Sequence, residues 1–338
     1  MKCWSVTVAD QAVSPCPWHL PVWNALTAGS RHAHAFLFAG LPGVGKCLFA
    51  EAFAAHLLCL QPQAGRACGQ CRSCQLRQAG SHPDRLVVEP EEQGKAIRID
   101  AIRQLGDFMG QTAQQGGRKV IILHPAEAMN LNAANALLKS LEEPTPDTYL
   151  LLVSDQPSRL LPTIRSRCRV QPLITPGHAE AMAWLQHSLP DLDAEQHAAL
   201  LLMAGGAPLR AIALHEMDAA NLRQQVVEGV KALLKSQQSA SQLAERWPSL
   251  PLELLADWFC DWTLDLLRLK TGAMEAPVNT DMDKVLPYMA RHLQLPALLD
   301  WQSWLLQHRG MLLGKANLNR VLFIETLLIQ WKQLLERR

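Results

Sequence analysis

Four of the nine cysteines fall in one short stretch, Cys59, Cys68, Cys71 and Cys74, spaced C-x8-C-x2-C-x2-C. Four thiolates this close in sequence can close a tetrahedron around Zn2+, and a closed shell leaves no open position for chemistry, so the zinc would be structural. Gly65, Gly69 and Gly80 suit the tight turns such a knuckle needs. Four free thiols in a loop and a redox Cys-x-x-Cys pair are the competing readings. The other five cysteines (Cys3, Cys16, Cys47, Cys168 and Cys260) are scattered, which argues against a disulfide framework.

A second pattern is the type of loop that can cradle phosphate. Gly40-Leu41-Pro42-Gly43-Val44-Gly45-Lys46-Cys47 fits G-x-x-x-x-G-K. Backbone N–H groups of such a loop and the following helix N-terminus cradle a phosphate, with Lys46 reaching the β- and γ-phosphates of ATP or ADP. The next position should be a Ser or Thr whose hydroxyl holds Mg2+. Here it is Cys47, and a soft thiol is a poor ligand for a hard cation. An ATPase also needs a carboxylate at a nearby strand tip, followed by a base. The apolar run Val120 to Leu123 ends instead in His124-Pro125-Ala126-Glu127. Losing the metal hydroxyl, the metal carboxylate and the base together points to a site that has given up hydrolysis. Weak nucleotide binding and a purely structural turn both remain open for the loop.

These residues need a scaffold. Up to about residue 173, short apolar runs (35–39, 86–88, 120–123 and 149–153) alternate with helix-length segments (45–60, 100–112 and 130–141). Continuous apolar strands alternating with helices indicate a parallel sheet covered on both faces. After Pro172 the strand signals stop. Residues 176–214 read as short helices broken at Pro190 and Gly205-Gly206, and from about 217 to the end the pattern is long, leucine-rich and amphipathic. Trp247, Trp258, Trp262, Trp301, Trp304 and Trp331 fall in that last part, where they read as packing in a helical bundle. Three parts are expected: an α/β domain over 1–173, a small helical domain over 174–216 and a helical bundle over 217–338.

A net charge of +1 argues against coating nucleic acid by bulk charge, though not against a local basic face. The longest apolar runs fall well short of the ~18 residues that a membrane span requires. The opening Met1-Lys2-Cys3-Trp4-Ser5-Val6 has no signal-peptide pattern, so a cytosolic protein is expected.

Several longer motifs tie the chain to a known family. They are the cysteine segment, Ser81-His82-Pro83-Asp84, the run Asn132-Ala133-Ala134-Asn135-Ala136-Leu137-Leu138-Lys139-Ser140-Leu141-Glu142-Glu143-Pro144, and Leu160 to Cys168 ending in Ser166-Arg167-Cys168. In these the chain resembles, over essentially its full length, the delta-prime family of bacterial DNA polymerase III clamp-loader subunits. Gamma and tau subunits, the active ATPases of the same ring, keep an intact loop and an acidic strand tip. Cys47, His124 and Pro125 depart from that pattern.

The resemblance implies an AAA+ P-loop domain with a zinc-knuckle insertion, a small helical lid and an all-α collar. It implies a stator-like subunit without ATPase activity of its own, in the holoenzyme of a DNA-directed DNA polymerase, a nucleotidyltransferase. Gamma/tau and delta subunits would be its partners in a hetero-oligomer that loads the sliding clamp onto primed DNA. Arg167 would be an arginine finger supplied to a neighbour, although Arg165 and Arg169 beside it also fit a solvated basic edge. Arg210 would be a vestige of the second sensor, and Ser154 is placed like the first. An active ATPase of the same ring and a zinc-ribbon nucleic-acid binder are the alternatives. The dispersed basic residues and glutamine-rich knuckle speak against the last.

Overall fold

The computed structural model describes residues 14–29, 32–92, 94–314 and 318–336. Cys3 and the opening segment read for an export signal lie outside the described residues. The chain forms two compact units, Met1–Glu216 and Met217–Arg338.

The first unit is built on five parallel strands: β1 (Ala35–Ala39), β2 (Arg85–Val88), β3 (Lys119–Leu123), β4 (Thr148–Ser154) and β5 (Arg169–Pro172), in the order β2-β3-β4-β1-β5. Helices α1 (Leu20–Thr27), α2 (Lys46–Leu58), α3 (Arg72–Gln78), α4 (Ile99–Gly110), α5 (Leu131–Glu142) and α6 (Pro162–Arg167) connect and cover them. Successive strand side chains point to opposite faces. Phe36, Phe38, Ile122, Leu151 and Val153 pack on Trp23 of α1 and on Phe49, Phe53 and Leu57 of α2. Leu37, Ile121, Leu123, Leu150 and Leu152 pack on Ile102 and Leu105 of α4, Leu137 and Leu141 of α5 and Ile164 of α6. Both faces are buried, which is why these strands read as unbroken apolar runs.

The sequence reading stops its strands at β4, and this is corrected by β5. Arg169-Val170-Gln171-Pro172 carries no apolar run because it pairs with β1 on one side only and is largely exposed. Pro172 is tolerated at such an edge.

Three more helices complete this unit: α7 (His178–Ser188), α8 (Ala194–Met203) and α9 (Pro208–Glu216). Asp193 starts α8 with a reciprocal cap, its Oδ1 accepting the Gln196 N–H at 2.8 Å while Gln196 Oε1 accepts the Asp193 N–H at 3.0 Å. Among the described residues no single helix is long and apolar enough to cross a membrane; α8 and α9 reach that length only together, across a 104° bend.

The second unit is all helical: α10 (Ala219–Leu234), α11 (Ala240–Arg246), α12 (Leu252–Lys270), α13 (Val285–His292), α14 (Leu295–Leu313) and α15 (Arg320–Glu336). Trp258, Trp262, Trp301 and Trp331 are buried in its core. The Phe259 ring meets Trp262 at 5.0 Å and Trp331 at 5.1 Å, both edge-on, the geometry that ring quadrupoles favour. These tryptophans are packing, as their pattern suggested.

Periodicity gave no hint of the buried polar network beside them. Arg223 of α10 lies over the Trp258 and Trp262 rings, pairs with Asp281 at 2.5 Å and donates to Asn279 Oδ1 at 2.8 Å. Asn279 in turn donates its backbone and side-chain N–H groups to the buried Asp265 at 2.9 and 2.7 Å. A buried guanidinium is tolerated because its charge and its donors are met.

Candidate functional site

The strand register sets Ala39 beside Ser154 and Leu123 beside Leu152, so the C-terminal ends of β1, β3 and β4 line one edge of the sheet. Open parallel sheets bind ligands at this edge. The glycine loop follows β1 and feeds α2, whose first residue is Lys46.

Close approach explains two of its glycines. Gly43 (φ +78°) presses on α9, where a Cβ would come within 2.4 Å of Arg210 Cβ, and Gly43 O accepts the Leu209 N–H at 3.1 Å. Gly45 (φ +101°) faces Cys16, whose Sγ would lie 2.5 Å from an added Cβ. Trp18 Nε1 donates to Val44 O at 2.9 Å. The chain's own residues therefore clasp the loop.

Lys46 is buried, and its ammonium turns back into the loop. It donates to Leu41 O at 2.5 Å and pairs with Asp155 Oδ1 at 2.5 Å. The charge that would meet a γ-phosphate is already met by a carboxylate. Sequence reasoning sought an acid at the tip of β3 and missed Asp155, which directly follows β4. An acidic residue immediately after a strand's C-terminal end was the available signal. Ser154 is buried, and its Oγ accepts the Gln156 N–H at 3.2 Å.

At the β3 tip the structure sets His124 and Pro125. Glu127 lies in the short turn Ala126–Ala128, and its Oε1 accepts the Asp155 and Gln156 N–H groups at 2.9 and 3.1 Å. That oxygen fixes the end of β4.

Next to this loop, His19 is buried against Phe49 and Trp18, with Nε2 donating to Ile174 O at 3.3 Å. Burial drives its pKa down to about 4, and the Lys46 charge adds to the effect. Below the ordinary value of 6.5 the unfolded chain takes up a proton that the folded chain refuses. The resulting stability is complete above 6.5 and is lost as pH falls toward 4. Acidification from pH 7 to 5 should cost about 1–2 kcal/mol through this residue. Urea titrations of wild type and His19→Gln check it: the variant should lose less stability over that interval, and equal losses would remove His19 as the cause.

The cysteine cluster is compact. The four Sγ atoms of Cys59, Cys68, Cys71 and Cys74 lie within 4.8 Å of one another, and Cys59 and Cys71 are 4.0 Å apart. A tetrahedron with Zn–S bonds of ~2.3 Å has sulfur–sulfur edges of ~3.8 Å. The Cys68 N–H points at Cys59 Sγ (3.2 Å) and the Cys71 N–H at Cys68 Sγ (3.4 Å), contacts that favour thiolates. Burial raises the Cys59 and Cys74 thiols, Cys74 to about 12. At Cys71 burial is outweighed by hydrogen bonds from the Cys74 and Leu60 backbone and from neighbouring thiols, which hold it near 6. The cluster can hold a metal ion.

The motif Ser81-His82-Pro83-Asp84 finds its role beside this cluster. Ser73, inside the knuckle helix α3, donates to Leu58 O at the end of α2 (2.6 Å) and meets His82 Nε2 at 2.8 Å. His82 Nδ1 accepts the Asp84 N–H at 3.1 Å, so Nε2 carries the proton. The Asp84 carboxylate accepts the Gln114 and Gln115 N–H groups at 2.8 and 2.6 Å. One chain of hydrogen bonds thus fastens the knuckle to the domain.

Arg167 ends α6. Its Nη1 donates to Thr163 O at 3.0 Å, and Nη2 pairs with Glu142 Oε1 at 2.7 Å at the end of α5, both side chains being part-exposed. Parallel pairing of Arg169 with Phe36, and the contact of His34 Nε2 with Leu141 O at 3.1 Å, set this pair at the N-terminal edge of the sheet. That is the edge opposite the glycine loop. The structure brings Gly40, Gly43, Gly45, Lys46, Cys47 and the backbone of Arg210 together, and keeps the cysteine cluster and Arg167 apart from them.

Two family models match, one described as DNA polymerase III, delta subunit, over residues 19–176, and one as DNA polymerase III, delta subunit, C terminal, over 217–333. The chain is 54% identical over 319 residues to DNA polymerase III subunit delta-prime of Pseudomonas aeruginosa, covering 94% of this chain and 97% of that one. It is 33% identical over 324 residues to the Escherichia coli K12 protein of the same name, covering 95% and 96%. Among solved structures, a DNA polymerase III gamma subunit-related protein from Thermotoga maritima aligns over 94% of this chain and 99% of that one, at 20% identity and a TM-score of 0.40. With both units matched and near-complete coverage of curated relatives, the chain belongs to the family of DNA polymerase III delta-prime subunits of the clamp loader.

Proposed function

We propose that this chain is the non-hydrolysing member of the clamp-loader ring, assembled with gamma/tau and delta subunits in the cytosol. Through that complex it would help load the sliding clamp onto primed DNA. The observation that carries this reading is the state of the loop: Lys46 is held by Asp155 and Leu41 O, Cys47 replaces the metal hydroxyl, and His124 and Pro125 replace the acidic tip. Mg2+ is left without its usual hydroxyl and strand-tip carboxylate and water without the usual base, and phosphoryl transfer depends on these groups.

In this proposal residues 174–216 form the lid and 217–338 the collar. Exposed apolar side chains on α14 (Leu299 and Leu306) and α15 (Val321, Leu322 and Ile329) support burial against neighbouring collars. Arg210 is a remnant of a sensor, and the degenerate loop holds ATP or ADP weakly or serves only as a structural turn. Cys59, Cys68, Cys71 and Cys74 hold one structural Zn2+, which when bound cross-links the knuckle. Arg167 serves a neighbour's ATP, because it lies at the sheet edge away from its own loop.

The test uses the chain alone and in its complex. The isolated chain should show no ATP turnover above a no-protein background, yet co-purify with gamma/tau and delta. Turnover that disappears with Lys46→Ala would overturn the non-hydrolysing role, and failure to co-purify would overturn ring membership.

A further inference from the structure

Arg167 is not a bare finger. Its guanidinium is held at two points, by Thr163 O at 3.0 Å within its own helix and by Glu142 Oε1 at 2.7 Å across the α5–α6 packing. Glu142 is the last residue of α5, a helix anchored by the buried Leu137 and Leu141, and Ile164 of α6 packs into the same core. The carboxylate is thus placed by rigid elements rather than by a loop. Resting on the proposed role of Arg167, we infer that Glu142 is a positioning residue. It holds the guanidinium in the rotamer from which it reaches a neighbouring subunit's nucleotide.

An arginine side chain carries large rotamer entropy, and a finger must be ordered when charge develops on the transferring phosphoryl group. A carboxylate on Nη2, with Thr163 O on Nη1, holds the guanidinium in one conformation and reduces the ordering needed at that moment. Glu142 is half exposed, so its pair with Arg167 adds little to folding, and its loss leaves the domain intact. The effect is expected on turnover and not on the neighbour's affinity for ATP, since the finger acts on the transition state.

Fully assembled complexes carrying wild type, Glu142→Ala, Glu142→Gln, Arg167→Ala and the Glu142→Ala/Arg167→Ala pair would be compared for clamp- and DNA-stimulated ATP hydrolysis. Glu142→Ala should lower kcat roughly 3- to 10-fold with KM unchanged, a loss no larger than the entropy of one ordered side chain allows. Glu142→Gln, which keeps an oxygen acceptor, should restore part of the rate. In the Arg167→Ala background, Glu142→Ala should change nothing further. If Arg167→Ala slows turnover while Glu142→Ala does not, or speeds it, the positioning role is wrong and the finger stands. If Arg167→Ala is itself silent, the finger reading fails first, and this inference with it.

Discussion

Replacing Arg167 by alanine is expected to leave the clamp-loader complex assembled and, if Arg167 is the finger proposed above, to slow hydrolysis at the neighbouring subunit's ATP site by about 10³-fold or more. Arginine stays charged at any working pH, and its planar fork matches phosphate oxygens. Arg165 and Arg169 flank it, but in the structure only Arg167 is braced by both Thr163 and Glu142. Its part-exposed ion pair is worth at most about 1 kcal/mol, so the substitution does not unfold the domain. The measurement is single-turnover hydrolysis in complexes whose subunit composition has been verified by mass, together with clamp loading onto primed DNA. Wild-type rates in a fully assembled mutant complex would remove Arg167 from this role.

The second large effect is expected at the cysteine cluster. Chain purified without added metal should carry about one equivalent of zinc, and Cys71→Ser/Cys74→Ser none. Structural zinc in small modules is worth on the order of 10–16 kcal/mol, and that binding energy is folding energy for the segment it closes. Few apolar side chains hold residues 59–80 otherwise: Cys59 and Cys74 are buried, while Cys68, Cys71 and most of the intervening positions are not. The variant should therefore be cleaved by protease within this segment. The sheet should persist, because its two apolar layers are formed by other residues. A wild-type chain with no metal, or a variant with the wild type's protease pattern, would contradict the assignment.

Chemistry that depends on residue type and local spacing was legible in the sequence. Cysteine spacing marked the cluster, because four ligands within sixteen residues must lie close whatever surrounds them. The glycine loop was legible because its pattern is local, and Cys47, His124 and Pro125 stand in the sequence where a Ser or Thr and an acidic strand tip are expected. Strands β1, β3 and β4 declared themselves as apolar runs because both faces of the sheet are covered. Tertiary structure decided what depends on which segments meet. The edge strand β5 has no apolar run, since only its pairing with β1 makes it a strand. Asp155 reaches Lys46 only because parallel pairing aligns the ends of β4 and β1. Arg223, Asn279, Asp265 and Asp281 are spread over three segments of the helical unit, so no periodicity announces that they share one buried network. Glu142 and Arg167 are 25 positions apart in the chain, and the packing of α5 on α6 makes them neighbours. Side chains within a turn or one helix face are brought together by backbone geometry, which sequence encodes locally. Partners across elements meet only when the whole core is packed.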